Sequence, residues 1–238
     1  MTKTKTRLSW LVLALVLVLA LIPHAAFGEE EDEYYSDYEE EYAPSYLVGV
    51  DVSEWNGTID WESVQEDGIE FAILRCGGTY EWSDGIYGDD EFLRNAEECE
   101  RLGIPYGVYF YSSAMSSETA LNEAWFVLEQ LQGLSPSLPV FIDLEYQGLN
   151  SIEYADTLAT VASTFCDSMS YAGYQPGVYA NISWWDYLLT DSCFDQWPKW
   201  VAQYEHYCES DDCLWWQYTC KGSVSGIDWP VDMNIWYV

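Results

Sequence analysis

Pro139-Val140-Phe141-Ile142-Asp143-Leu144-Glu145 is a short apolar strand that runs into two acids. Val140, Phe141 and Ile142 carry the β preference of a fully buried strand. Asp143 and Glu145 then follow at spacing i, i+2. On a strand that spacing puts both carboxyls on one face, with α-carbons roughly 6.7 Å apart. Two carboxyls side by side at the end of an apolar strand are costly, and such pairs mark functional sites. Acid chemistry on a glycosidic bond is the use that fits them. The spacing does not select between retention and inversion, because side chains converge or diverge from their backbone.

Strands and helices alternate outward from this stretch. Leu47–Val52, Phe71–Cys76, Ile104–Ser112 and Gln175–Ala180 read as buried strands. Trp61–Asp67 reads as a short helix, and Asp89 as the cap of a helix running to Leu102. Leu121, Ala124, Trp125, Leu128 and Leu131 mark the apolar face of another helix. Leu158, Val161, Ala162, Phe165 and Met169 mark a further one. After residue 180 the helical spacers shrink, and strands are expected at 200–204, 214–218 and 231–236. Repeated β–α units imply parallel strands with right-handed crossovers. The expected fold is α/β: a single barrel over residues 46–238, of about five βα units plus three further strands. A doubly wound open sheet gives a similar alternation.

In a parallel barrel, function gathers at the carboxyl ends of the strands. Asp51 lies near the end of the first strand, Asp143 and Glu145 at the end of the fourth, and Asp232 in the last. Tyr109, Tyr111 and Tyr179 are placed to rim the same opening. Asp51 or Asp232 alone reads equally well as a cap or loop acceptor; the Asp143–Glu145 pair does not.

These residues carry a family resemblance. Gly49-Val50-Asp51-Val52-Ser53, Trp55-Asn56-Gly57 and Ile59-Asp60-Trp61 resemble the opening of the glycoside hydrolase family 25 lysozymes, the Chalaropsis-type N-acetylmuramidases. Phe71–Arg75, Gly107–Tyr111, Pro139–Glu145, Trp216-Gln217-Tyr218 and Gly226–Asn234 resemble later motifs of that family, in order over residues 47–238. The resemblance implies cleavage of the β-1,4 bond between N-acetylmuramic acid and N-acetylglucosamine, without a cofactor or metal. It makes Glu145 the general acid. Asp143 would assist the substrate's N-acetyl group or act as nucleophile, and Asp51 and Asp232 would line the site. It implies substrate contacts from Tyr109, Tyr111, Tyr179, Trp216, Gln217 and Asn234. A catalytically silent barrel that binds wall glycan and a chitinase-like glycosidase are the alternatives.

Composition narrows the partners. Formal charge is −33, which excludes a basic patch for nucleic acid or for an anionic membrane. It also predicts activity that rises with moderate salt as like-charge repulsion is screened. His24 and His206 are the only histidines, so carboxylates are the groups left for proton transfer. Residues 1–28 read as a secretory signal peptide: Lys3, Lys5 and Arg7, then an apolar run from Leu8 to Ile22, with cleavage expected before Glu29. Residues 29–45 read as an acidic, Tyr-rich linker. The expectation is a secreted monomer acting on peptidoglycan glycan strands. Seven cysteines leave an odd thiol in an oxidising compartment. Cys208 and Cys213 are candidates for a bridge, and Cys76, Cys99 and Cys166 for small core residues. A zinc site from Cys193, Cys208, Cys213 and Cys220, or a Cys nucleophile using His206, are lesser readings.

Overall fold

The computed structural model describes residues 45–81, 85–210 and 212–238. The expected signal peptide and nearly all of the acidic linker lie outside the described residues.

The described chain contains strands β1 (Tyr46–Val52), β2 (Phe71–Thr79), β3 (Ile86–Gly88), β4 (Tyr106–Tyr111), β5 (Val140–Asp143), β6 (Pro176–Asn181), β7 (Lys199–Ala202), β8 (Trp215–Gly222) and β9 (Val231–Tyr237). Between them run α1 (Trp61–Glu66), α2 (Phe92–Leu102), α3 (Ser117–Gln130), α4 (Ala155–Tyr171) and α5 (Ile182–Tyr187). Local chemistry sets the helix ends. The Asp60 side chain accepts from Ser63 N–H at the start of α1. Ser116 and Thr119 form a reciprocal capping box at α3. Gly103, at φ 70°, stops α2 in the left-handed conformation. Asp89 is expected to cap α2 directly, yet the helix begins at Phe92 with Glu91 before it. Asp89 instead accepts from the N–H groups of Glu91 and Glu54.

The sheet order is β1-β9-β8-β7-β6-β5-β4-β2-β3, and pairing of β1 with β2 closes eight strands into a barrel. β3 stays outside the ring as an antiparallel arm on β2. From β1 through β8 every contact in the ring is parallel. β9 breaks the rule: it runs antiparallel to both β8 and β1. The reversal corrects the expectation of parallel strands throughout. It also matters for the site, because the beginning of β9 now lies at the rim where the other strands end. The barrel's first and last residues meet at this seam. Val238 N–H donates to Ser45 O at 2.9 Å, and the Ser45 hydroxyl donates to Val238 O at 2.7 Å.

Alternation along the strands divides the core in two. Phe71, Ile73, Phe141, Tyr179, Trp200 and Trp215 fill the barrel interior, and Leu47, Tyr109 and Trp236 pack against them. Trp215 and Trp236 stack at 4.6 Å, and Phe71 meets Trp215 edge-on at 5.3 Å. Glycine makes room for these rings: a Cβ on Gly49 would lie 2.5 Å from the Phe71 ring, and one on Gly177 would strike Phe141. The second core lies between barrel and helices, around Val50, Leu74, Val108, Ile142 and Phe165.

The apolar face expected on α3 is displaced. Leu121 and Trp125 are exposed, whereas Ala120, Glu123, Ala124 and Val127 are buried. Ala120 and Ala124 let this helix lie close to the barrel, Phe126 packs on Phe110 at 5.9 Å, and Leu121 and Trp125 are left outside.

Candidate active site

The barrel brings Asp51, Asp143, Glu145 and Asp232 to one rim. Asp51 is next to last in β1, and Asp232 faces it in register from the start of β9. Asp143 ends β5; Glu145 follows two residues later, beyond the strand.

Asp51 is held from below. Its Oδ2 accepts from Gln217 Nε2 at 2.9 Å and from Asn234 Nδ2 at 2.8 Å. Gln217 Oε1 in turn accepts from the hydroxyls of Tyr179 at 3.0 Å and Tyr204 at 2.9 Å. Asn234 Oδ1 accepts from Trp200 Nε1 at 2.8 Å. Both amides are buried and bonded at each end. Both amides therefore hold Asp51 in place. Trp216 is 5 % exposed, alternates with the inward-facing Trp215 and Gln217, and donates its indole N–H to Gln203 O at 2.7 Å.

The acids raise one another's proton affinity. Burial pushes Asp51 well up, and the charge of Asp232 adds to it. Burial also raises Asp232, while a hydrogen bond shared with Asp51 works the other way. Asp143 is pushed well up by burial, then by Glu145 and Asp51, with Arg75 opposing. Glu145 is raised by burial, then by Asp232 and Glu81. Four carboxyls so placed hold their protons more tightly than free ones, which is the property a general acid needs.

Two of these groups are open to a ligand. Asp143 Oδ1 is buried with no hydrogen-bond partner. Such an acceptor carries a desolvation cost until a donor arrives. Glu145 lies where two clefts meet. One, of about 780 Å³, is lined by Trp55, Tyr80, Tyr87, Tyr111, Arg75 and Glu81 as well as Glu145. The other, of about 400 Å³, is lined by Tyr179, Asn181, Gln203, Tyr204 and Glu205 together with Glu145. A linear polymer laid across both would cross Glu145 midway.

The expected tyrosines divide. The Tyr109 hydroxyl lies in the field of Asp51, Asp143, Asp232 and Arg75. Tyr111 lines the larger cleft and donates to Glu81 Oε1 at 2.6 Å. Tyr179 lines the smaller cleft with its hydroxyl already given to Gln217.

Other contributors were not singled out from the sequence. Arg75 Nε donates to Asp89 Oδ2 at 2.7 Å and its Nη2 to Glu54 Oε1 at 3.0 Å. Arg75 and the half-buried Glu54 line the larger cleft, and buried Asp89 anchors Arg75 from behind. Tyr204 and Glu81 come from loops, where no periodic pattern marks them. Of the cysteines, Cys208 and Cys213 form a disulfide, which takes both out of any zinc site. Cys76, Cys99 and Cys166 are buried, and burial raises each thiol, so none is a ready nucleophile.

Residues 50–227 match the family model described as Glycosyl hydrolases family 25. Lysozyme M1 of Streptomyces globisporus is 27% identical over 212 residues, which cover 80% of this chain and 67% of that protein. The modular autolysin LytC of Streptococcus pneumoniae, solved in complex with a synthetic peptidoglycan ligand, matches with TM-score 0.72 at 30% identity, over 81% of this chain and 47% of that one. The chain thus spans just under half of LytC. A family 25 glycosyl hydrolase from Bacillus anthracis has the same fold, with TM-score 0.69 at 21% identity over 81% of this chain and 89% of that one. With most of its length matched by the family model, the chain belongs to glycosyl hydrolases family 25.

Proposed function

We propose that this chain is an exported muramidase that cleaves the β-1,4 bond between N-acetylmuramic acid and N-acetylglucosamine in peptidoglycan. The observation that carries the reading is the position of Glu145 at the junction of two clefts, beside a buried Asp143 oxygen that lacks a donor. Family membership and the peptidoglycan ligand of LytC support the substrate class. The charged, then apolar, residues 1–28 support export.

Glu145 is partly buried and raised in proton affinity, and it gives its proton to the glycosidic oxygen as the bond to the anomeric carbon breaks. The acetamido oxygen of the substrate attacks that carbon from the opposite face. Asp143 Oδ1 accepts from the acetamido N–H and stabilises the positive charge that develops on the resulting ring. Water then attacks the same carbon and gives its proton to Glu145, and the acetamido group re-forms with configuration retained. Asp51 and Asp232 share a hydrogen bond beside these groups and set their charge. Tyr109 and Tyr111 contact the sugar chain.

Digestion of purified wall by Glu145→Gln tests the assignment. Lysis should fall by at least about 100-fold, the size of a lost general acid. Unchanged lysis would reject it. Reducing-end analysis of the wild-type digest separates the alternatives. Muramic acid ends fit the assigned bond, N-acetylglucosamine ends fit a chitinase-like specificity, and no new ends fit a silent binder.

A further inference from the structure

Glu123 stands apart from the acid rim. It lies on α3 and is 1 % exposed. Its Oε1 accepts from the Thr79 hydroxyl at 2.6 Å and its Oε2 from the Ser112 hydroxyl at 2.6 Å. The Ser112 hydroxyl oxygen in turn accepts from Ala114 N–H at 3.3 Å. Thr79 is the last residue of β2, and Ser112 directly follows β4. One buried carboxylate therefore ties the ends of two neighbouring strands.

Thr79 lines the larger cleft, as does Tyr111, the residue before Ser112. Beyond Thr79, Glu81 accepts from the Tyr111 hydroxyl through its side chain at 2.6 Å and from the Tyr146 hydroxyl through its carbonyl at 3.1 Å. Ser112 N–H donates to Asp143 O at 3.0 Å. A neutral apolar residue would fill the same space against the barrel without the cost of a buried charge. That cost is real: burial raises the Glu123 carboxyl to about 7. Two hydroxyls, one on each oxygen, make a joint that a side chain with a single acceptor oxygen cannot reproduce.

We propose that Glu123 is a positioning residue for the glycan cleft: by fastening Thr79 and Ser112 it holds the wall of Glu81 and Tyr111 in the shape that receives the sugar chain beside Glu145. The proposal rests on the muramidase reading. It assigns Glu123 no contact with substrate.

The test compares the full chain with Glu123→Gln and Ser112→Ala on soluble peptidoglycan strands of defined length. Glu123→Gln keeps the side-chain volume but turns one acceptor into a donor. Its KM should rise on the order of 10-fold while kcat stays within about 3-fold. A merely structural role predicts the opposite split, because a smaller folded fraction lowers apparent kcat and leaves KM alone. A KM within about 2-fold of wild type overturns the proposal. If Glu123→Gln does not fold, Ser112→Ala decides: a KM rise of about 3-fold is expected, and an unchanged KM overturns it. A wild-type chain that leaves the strands uncut rejects the muramidase reading instead. The dissociation constants of the same strands, expected to rise in Glu123→Gln, then decide the positioning role.

Discussion

Asp51 and Asp232 face each other in register across β1 and β9, at the seam where the barrel's one reversed strand meets its first. The charge of Asp232 raises the proton affinity of Asp51 and also that of Glu145. Asp232→Asn removes this charge, so Glu145 releases its proton more readily. A general acid works only while protonated, and activity is lost as pH rises through its pKa. The basic limb of the kcat/KM profile should therefore move to lower pH in Asp232→Asn. Glu81→Gln should move it the same way, since Glu81 also raises Glu145. Profiles on soluble glycan check both variants; a limb that stays in place or moves upward contradicts the coupling.

Asn234 bridges Asp51 and the Trp200 indole with no exposed surface. Asn234→Leu keeps the branched shape but leaves the Trp200 N–H without an acceptor and Asp51 short of a donor. We expect a loss of about 2–4 kcal/mol of stability from these buried groups, together with reduced turnover. Urea unfolding measures the first. A loss below about 0.5 kcal/mol would show that water replaces the amide.

Gly177→Ala directs a methyl group into the Phe141 ring, inside the barrel. Overpacking of this kind costs about 1–3 kcal/mol. Phe141→Leu in the same chain should recover part of that loss, because the smaller side chain vacates the contested space. Additive effects in the double-mutant cycle would place the strain elsewhere.

Stability should fall as pH rises from 5 to 8. Between its free value of 4.5 and about 7, Glu123 keeps in the folded chain a proton that the unfolded chain has released. Rising pH therefore favours unfolding across that window, by about 3 kcal/mol for this group. Asp51, Asp143 and Glu145 are raised too and act with the same sign. Thermal melts in buffers of equal ionic strength check the slope, which should be shallower in Glu123→Gln.

Much of this architecture is legible in the sequence, for identifiable reasons. The apolar run 140–142 and the acids after it announce a buried strand with a functional end. The β–α alternation through residue 180 announces the barrel. The direction of β9 is not legible, because a period-2 pattern reads the same either way. Gln217 and Asn234 look alike in sequence whether they face a sugar or Asp51. The pairing of Arg75 with Asp89 and Glu54 follows no period and needs the folded loops to be seen. Leu121 and Trp125 mislead because apolar character is taken to mean burial, and the buried face of α3 is instead made by Ala120, Glu123, Ala124 and Val127.

The seam between β1 and β9 also sets the order of assembly. Asp51 is made early, yet Asn234, which holds it, lies 183 residues further along the chain. Contacts this distant in sequence form late and slowly. A nascent chain that already carries Asp51, Asp143 and Glu145 still lacks Asp232, the fourth acid of the rim, and Asn234. Asp51 therefore gains its Asn234 donor, and Asp232 as its facing neighbour, only once β9 has joined β1.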